Sequence, residues 1–489
     1  MKTIKILTRG GNVSVGELRR IIMAANHFGV SDIQVGNRQE LLFRVDEKYL
    51  SDLNSRLSNI IYDKVEDPGI YHNIISSFPY ADILPSTRWL SEGAYLEILE
   101  SFDFSPVLKV SLCDPAQGMV PIINGDLNFI ASEHDEYWFL KIRMPGSNKT
   151  ETFPALVAST DIAELTEVLQ NIILTGEKVP FSSVIDQVYA YEKWHFRVID
   201  RELALDRPHF SYLDGFQSSG EKYWLGIFQN SNKYSIKLLE DLCIQCVSNN
   251  IGSILLSTRN SFIIKNINKK SVPDWEIILG KHGILSQHSS LDLCWTLPVG
   301  KEKFLKLKKE IISKVKDQGL RVGNLSFAIT EDCHSAMASI IIENKCAIPQ
   351  LNLFNSYNIW YRKDFNPFSE ELIPFSGNIP KRDIASILCW LVEKHYDDLR
   401  KPVQKTKEAV RPKEKTSSDK TTGNTMYMCS CCMTLYDESL GDESASVPAG
   451  TSFKALPDNY GCSVCGSGKD KFVPADIRIL SGNHVPELE

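Results

Sequence analysis

Apolar residues at helical spacing, Leu18, Ile21, Ile22 and Ala25, follow Ser14-x-x-Glu17 near the start of the chain, which predicts a helix opened by a capping box. The next stretch, DIQVGNRQELLFRV (32–45), alternates apolar and polar positions around Gly36-Asn37 and predicts a hairpin turning at that pair. The pattern returns without a gap 221 residues later, residues 11–45 aligning on 232–266. Leu18 falls on Leu239, Ile21 on Leu242, Val30 on Ile251, Ile33 on Ile254, Val35 on Leu256, Arg38 on Arg259 and Leu42 on Ile263. Such self-similarity predicts two copies of one strand–helix–strand–turn–strand unit.

Each copy is followed by further stretches of strand character. PVLKVSLCD (106–114), GDLNFIASE (125–133) and EYWFLKIRM (136–144) follow the first; LDLCWTLPV (291–299), NLSFAIT (324–330) and MASIIIE (337–343) follow the second, with a Lys-rich helix at 301–316. The expectation is a duplicated α+β body, 1–190 and 200–398, whose repeat units occupy 1–55 and 222–285 and which closes on an amphipathic helix at 382–400.

This layout resembles the siroheme-dependent nitrite and sulfite reductases, where two ferredoxin-like half-domains alternate with two larger α/β halves that bind the haem. The family's Thr-x-Arg-Gln hairpin, whose arginine pairs with siroheme carboxylates, is matched by Gly36-Asn37-Arg38-Gln39 and by Ser257-Thr258-Arg259-Asn260. Its basic strand after the first half-domain is matched by VLKVSLCD, with Lys109 at the lysine position. The resemblance implies Arg38, Arg259 and Lys109 as cofactor-binding residues of a vestigial anionic cleft, joined by Lys141 and Arg143; ordinary surface charge is the alternative. The family also needs Cys-x5-Cys and Cys-x3-Cys for a [4Fe–4S] cluster, and neither spacing occurs in residues 1–400. No such cluster and no siroheme are therefore expected, and the body reads as a catalytically degenerate scaffold.

The C-terminal segment carries sharper chemistry. Cys429-x2-Cys432 and Cys462-x2-Cys465 are separated by 29 residues, and two such knuckles suit a tetrahedral four-sulfur site for iron or zinc. Zinc ribbons usually separate their pairs by about 15–20 residues. The intervening YDESLGD, GTSFKALP and NYGC, with CGSGKDKF after them, are similar to rubredoxins, a family whose pattern spans Met426 to about Pro474. The resemblance places Tyr427, Tyr436, Phe453, Tyr460 and Phe472 in an aromatic core, with turns at Gly450-Thr451 and Leu456-Pro457. It implies Cys429, Cys432, Cys462 and Cys465 as ligands of one iron ion. Cys431 sits mid-knuckle, where a side chain points away from the metal. Met433 and Ser463 depart from the family's usual glycine and proline.

Composition narrows the function classes. A net charge of −7, with 43% hydrophobic and 24% charged residues, argues for a globular chain and against a general nucleic-acid binder. Lys2, Lys5 and Arg9 interrupt the apolar residues of the N-terminus, so no export signal is read there; no run reaches membrane length, and a cytoplasmic protein is expected. Residues 401–425 hold many lysines and no apolar periodicity, which predicts a flexible basic linker before a domain at 426–475. Cys243-x2-Cys246 falls on Ile22 and Ala25 of the repeat and reads as helix core, and Cys333-His334 as an isolated pair. The chain is thus expected to transfer single electrons through a rubredoxin centre tethered to a scaffold that docks a redox partner or ligand, with a reductase as donor and an unknown acceptor. The alternative is a binding or assembly protein whose four cysteines hold structural zinc.

Overall fold

The computed structural model describes residues 1–66, 69–175, 179–285, 288–320, 322–348, 353–400, 426–430, 434–438, 441–442, 445, 447–448, 450–463 and 466–475. The chain divides into two units, Met1–Pro402 and Val403–Glu489.

In the first unit the repeat takes the same shape twice. Helix Val15–His27, strand Asp32–Val35 and strand Glu40–Val45 recur as helix Ile236–Ser248, strand Ser253–Leu256 and strand Ser261–Asn268. Their paired apolar positions are sealed together: Leu18, Ile21, Ile33 and Val35 are fully buried, as are Leu239, Leu242, Ile254 and Leu256. All eight belong to one core, so the two copies bury their helices in a common interior rather than in separate ones.

The copies also exchange strands. Asn12–Ser14 of the first pairs antiparallel with Ser253–Leu255 of the second, and Tyr234–Ser235 of the second pairs antiparallel with Asp32–Ile33 of the first. Each five-stranded antiparallel sheet is completed by an edge strand from the other copy, which protects an edge that would otherwise stand open.

Two sequence expectations about the first copy are corrected. Ser14 caps the helix with its backbone alone: its side chain accepts no cap bond, and Glu17 pairs with Arg20 at 2.9 Å instead of closing a capping box. The amide of Ser14 donates to Tyr62 Oη at 2.9 Å, which holds the residue in the exchanged strand. The hairpin loop spans Gly36 to Gln39, and its left-handed residue is Gln39 at φ 59°, not the Gly-Asn pair. The corresponding Asn260 has φ 57°. A Cβ at Gly36 would lie 2.4 Å from the Glu40 side chain, which would have to shift to admit it.

Each copy feeds a larger sheet. The first runs Phe196–Val198, Ala155–Ala158, Tyr137–Ile142, Leu127–Ala131, Val110–Cys113, Ile75–Ser76, with Glu151–Thr152 also on Tyr137–Ile142. The second runs Trp295–Thr296, Phe327–Thr330, Ile340–Ile348, Leu353–Arg362, Leu372–Ile379. Each has three parallel strands at one end, Ile75–Ser76, Val110–Cys113 and Leu127–Ala131 in the first and Trp295–Thr296, Phe327–Thr330 and Ile340–Ile348 in the second, and is antiparallel over the rest. Each has its own core, one closed by helix Ile162–Ile173 and the other by helices Glu302–Asp317 and Ile384–Arg400. The strand expected over 291–299 is mostly absent, because a real capping box at Ser289 and Asp292 starts helix Ser290–Leu293 and leaves only Trp295–Thr296 extended.

The second unit is small. Met426–Cys429 pairs with Leu435–Asp437 on one side and Phe472–Ala475 on the other, forming a three-stranded antiparallel sheet. The linker expected at 401–425 lies outside the described residues. No helix among the described residues is long and apolar enough to cross a membrane.

Candidate metal centre and anionic cavities

In the C-terminal unit the aromatic residues read from the sequence form the interior. Tyr427 stacks on Phe453 with ring centroids 4.1 Å apart, and Phe453 touches Tyr436 and Phe472 at 5.6 and 5.3 Å. Tyr460 closes the group against Tyr436 and Phe472. The polar ends are satisfied: Tyr436 Oη donates to Thr451 O at 2.8 Å and Tyr460 Oη to Asp442 Oδ2 at 2.7 Å. Burial and the Asp442 carboxylate hold the Tyr460 phenol well above its usual range.

Cys429 and Cys462 are buried in this core, at 0% and 3% exposure. Each opens a turn closed in the same way. The Cys429 amide donates to Thr434 O at 2.9 Å and the Cys462 amide to Ser467 O at 2.8 Å. In the second turn Gly466, at φ 71°, lets its own amide donate back to Cys462 O at 2.8 Å. Both cysteines thus open like turns within one aromatic core, and thiolates are donors suited to a thiophilic ion. Cys431, Cys432, Met433 and Cys465 lie outside the described residues.

In the first unit the basic residues line adjoining cavities. Arg38, Lys109 and Arg143 line one cavity of about 220 Å3 together with Asp126 and His334. Arg38 is committed largely to the backbone: Nη2 donates to Asn73 O at 2.7 Å and to Val110 O at 2.9 Å, while Nη1 is buried without a partner among the described residues. Arg143 likewise donates to Ile123 O and Asn148 O. Lys141 lies on strand Tyr137–Ile142 opposite Thr152 and is not part of that lining. Arg259 lines neighbouring cavities of about 160 and 330 Å3, the smaller of which shares Asn124 and Ser335 with the Arg38 cavity.

His72, which no sequence pattern singles out, is half-buried beside Arg38 and Lys109. Burial and then the charges of Arg38 and Lys109 push its imidazole down to about 4. Its signal is purely spatial, since Arg38 and Lys109 are remote from it in sequence. The Cys243 and Cys246 side chains are buried in helix Ile236–Ser248, and burial pushes the Cys243 thiol up to about 12. Cys333 gathers with Asp332 and Glu343 within 4.8 Å. Glu343 is already bound by Lys345 at 2.8 Å, Trp360 at 3.1 Å and Asn358 at 3.2 Å.

Comparison with known proteins separates the two units. The rubredoxin family model matches residues 426–472. Rubredoxin-2 of Chlorobaculum tepidum is 46% identical over 46 residues, which cover 88% of that protein and 9% of this chain. The rubredoxin of Megasphaera elsdenii is 48% identical over 50 residues, 94% of that protein and 10% of this chain. An anaerobic nitric oxide reductase flavorubredoxin of Pectobacterium carotovorum is 36% identical over 67 residues, which are 14% of this chain and only 13% of that protein. Over the body, the structure of the Mycobacterium tuberculosis NirA protein superposes with a TM-score of 0.60 across 80% of each chain at 13% identity, a likeness of fold.

Proposed function

Residues 426–472 place this chain in the rubredoxin family, and on that footing we propose that it carries single electrons through one iron ion held by Cys429, Cys432, Cys462 and Cys465. The family implies iron in a four-cysteine site and action with redox partners. When bound, iron supplies a one-electron ferric–ferrous couple with the same four thiolates in both states, whereas zinc has no such couple. The chain's own residues set the conditions. Burial in the aromatic core keeps water from Cys429 and Cys462, and the backbone bonds that close the two turns hold them in place. Little rearrangement then accompanies transfer.

The observation that carries this reading is the pair of like turns opened by two buried cysteines on an aromatic core. The body acts as a catalytically degenerate scaffold, joined to the electron carrier by the basic linker 401–425, and docks a redox partner or an anionic ligand. What supports this is the grouping of Arg38, Lys109 and Arg143 on one cavity, together with the lack of cluster cysteine spacings in residues 1–400. Metal analysis with a visible spectrum of natively purified full chain tests the first part. About one iron per chain with a ferric–thiolate band is expected; one zinc per chain and no band would replace electron transfer by a structural role.

A further inference from the structure

We propose that Lys308 is a modification site for carbon dioxide, its buried amine taking up CO2 as a carbamate in the small amide-lined cavity beside it. This goes beyond electron transfer and ligand docking, and it involves neither the four cysteines nor the arginines of the body.

The first observation is a cation on the core face of a helix. In helix Glu302–Asp317, Phe304, Leu307, Ile311 and Val315 are buried, and Lys308 sits among them at 4% exposure. Lys306, Lys309, Lys314 and Lys316 of the same helix are exposed. Burying an ammonium is costly unless an anion meets it. Lys265, the other buried lysine among the described residues, meets Glu92 at 2.6 Å. Lys308 makes no ion pair among them. Its Nζ donates to Asp292 O at 2.7 Å and to Asn230 Oδ1 at 3.4 Å, over the Phe228 ring. The Asp292 carboxylate is held by Lys316 at 3.2 Å and by Ser289, and burial pushes the Cys294 thiol up to about 12. Neither group therefore offers Lys308 a free negative charge. Burial pushes the Lys308 ammonium down to about 8, so a share of it is neutral, nucleophilic amine near neutral pH.

The second observation is the space this amine borders. Lys308 lines a cavity of about 30 Å3 with Gln34, Asn230, Ser231, Asn260 and Trp295. One water needs about 10–15 Å3, so the space suits a molecule of about two or three heavy atoms and excludes larger carbonyl compounds. Asn260 Nδ2 is spent on Val35 O at 2.6 Å. Asn230 accepts from Lys308 through Oδ1, and Ser231 Oγ accepts from the Lys233 amide at 3.3 Å, which leaves the Asn230 N–H groups and the Ser231 hydroxyl as donors. In the reaction the amine lone pair forms a bond to the carbon of CO2 and one C=O electron pair moves onto oxygen. An N–H proton leaves to water, giving a carbamate anion and H+ with nothing oxidised or reduced. The Asn230 amide and the Ser231 hydroxyl then donate to the carbamate oxygens.

The test equilibrates the full chain with carbon-13 bicarbonate and CO2, traps carbamates as ethyl esters with triethyloxonium, and maps the label by peptide mass spectrometry. The label should fall on Lys308 at least about tenfold above any exposed lysine, because exposed lysines stay protonated near neutral pH. Carbon-13 NMR of the untrapped chain should show a carbamate signal that falls in Lys308→Met. Asn230→Leu should lower the occupancy of Lys308 several-fold by removing a donor. Tryptophan-fluorescence melts establish that each variant is folded, and the label map of the unaltered chain decides the matter where one is not. No label on Lys308, label spread evenly over exposed lysines, or a carbamate signal unchanged in folded Lys308→Met would overturn the proposal.

Discussion

Cys429 and Cys462 occupy equivalent places: each donates its amide to the carbonyl five residues further on, Thr434 O at 2.9 Å and Ser467 O at 2.8 Å, and each is buried. In the proposed four-cysteine site this equivalence makes the two knuckles halves of one site.

Cys429, Cys432, Cys462 and Cys465 should each be required for metal, while Cys431→Ser should keep it. Metal content per chain after serine substitution, measured by plasma mass spectrometry, checks this. Iron loss in Cys431→Ser equal to that in Cys432→Ser would contradict the ligand set. Because so small a core leans on its metal for folding energy, the four ligand variants should also lose the near-ultraviolet signal of the C-terminal tyrosines.

Gln39 joins three segments of the body. Its Nε2 donates to Ser76 O at 3.0 Å and Leu256 O at 3.1 Å, and its Oε1 accepts from the Ser76 amide at 2.8 Å. Gln39→Leu strands these buried partners and should destabilise the body by about 2–4 kcal/mol. All 8 tryptophans precede residue 400, so urea unfolding followed by tryptophan fluorescence reports on the body alone. A loss below about 0.5 kcal/mol, the range of an ordinary surface change, would contradict the role.

Much of this architecture was legible. The apolar register shared by 11–45 and 232–266 gave both copies of the unit, because burial of one helix face and one sheet face leaves a periodic trace. Strand exchange left none: the pairing of Asn12–Ser14 with Ser253–Leu255 joins segments over 200 residues apart, and three residues are too few for a pattern. Ser14 and Glu17 had the spacing of a capping box, but a tertiary contact of Ser14 with Tyr62 and an ion pair of Glu17 with Arg20 one turn along the same helix took precedence. In the C-terminal unit the resemblance to rubredoxins placed the aromatic core correctly, because that family's pattern is local in sequence. That Arg38 is spent on Asn73 O and Val110 O while Arg259 lies over Phe210 was not readable, since equivalence in a repeat fixes the backbone and not what the rest of the fold sets against it.

His72 should make the body sensitive to acid. Its folded imidazole sits at about 4, against an ordinary value of about 6.5 in the unfolded chain, so the unfolded state takes up the proton first as pH falls. The contribution is full above about pH 6.5 and declines toward pH 4, amounting to about 1–2 kcal/mol between pH 7 and pH 5. His72→Asn should flatten that part of the pH dependence in the same fluorescence assay. An identical slope in both proteins would contradict it.

The linker should act through reach. A flexible chain of 25 residues spans roughly 25–30 Å, so cutting residues 401–425 to about five should slow electron delivery to any partner held by the body, without moving the midpoint potential. Stopped-flow bleaching with full-length, shortened and severed chains checks this. Equal rates in all three would mean that the body does not position the partner.

The central claim is one-electron chemistry at a four-cysteine iron site, and anaerobic reductive titration of the full chain tests it most directly. The visible ferric–thiolate band should bleach with about one electron per iron and return on reoxidation, cycle after cycle, with the metal retained. A metal-loaded chain that shows no such band and accepts no electron would contradict the account.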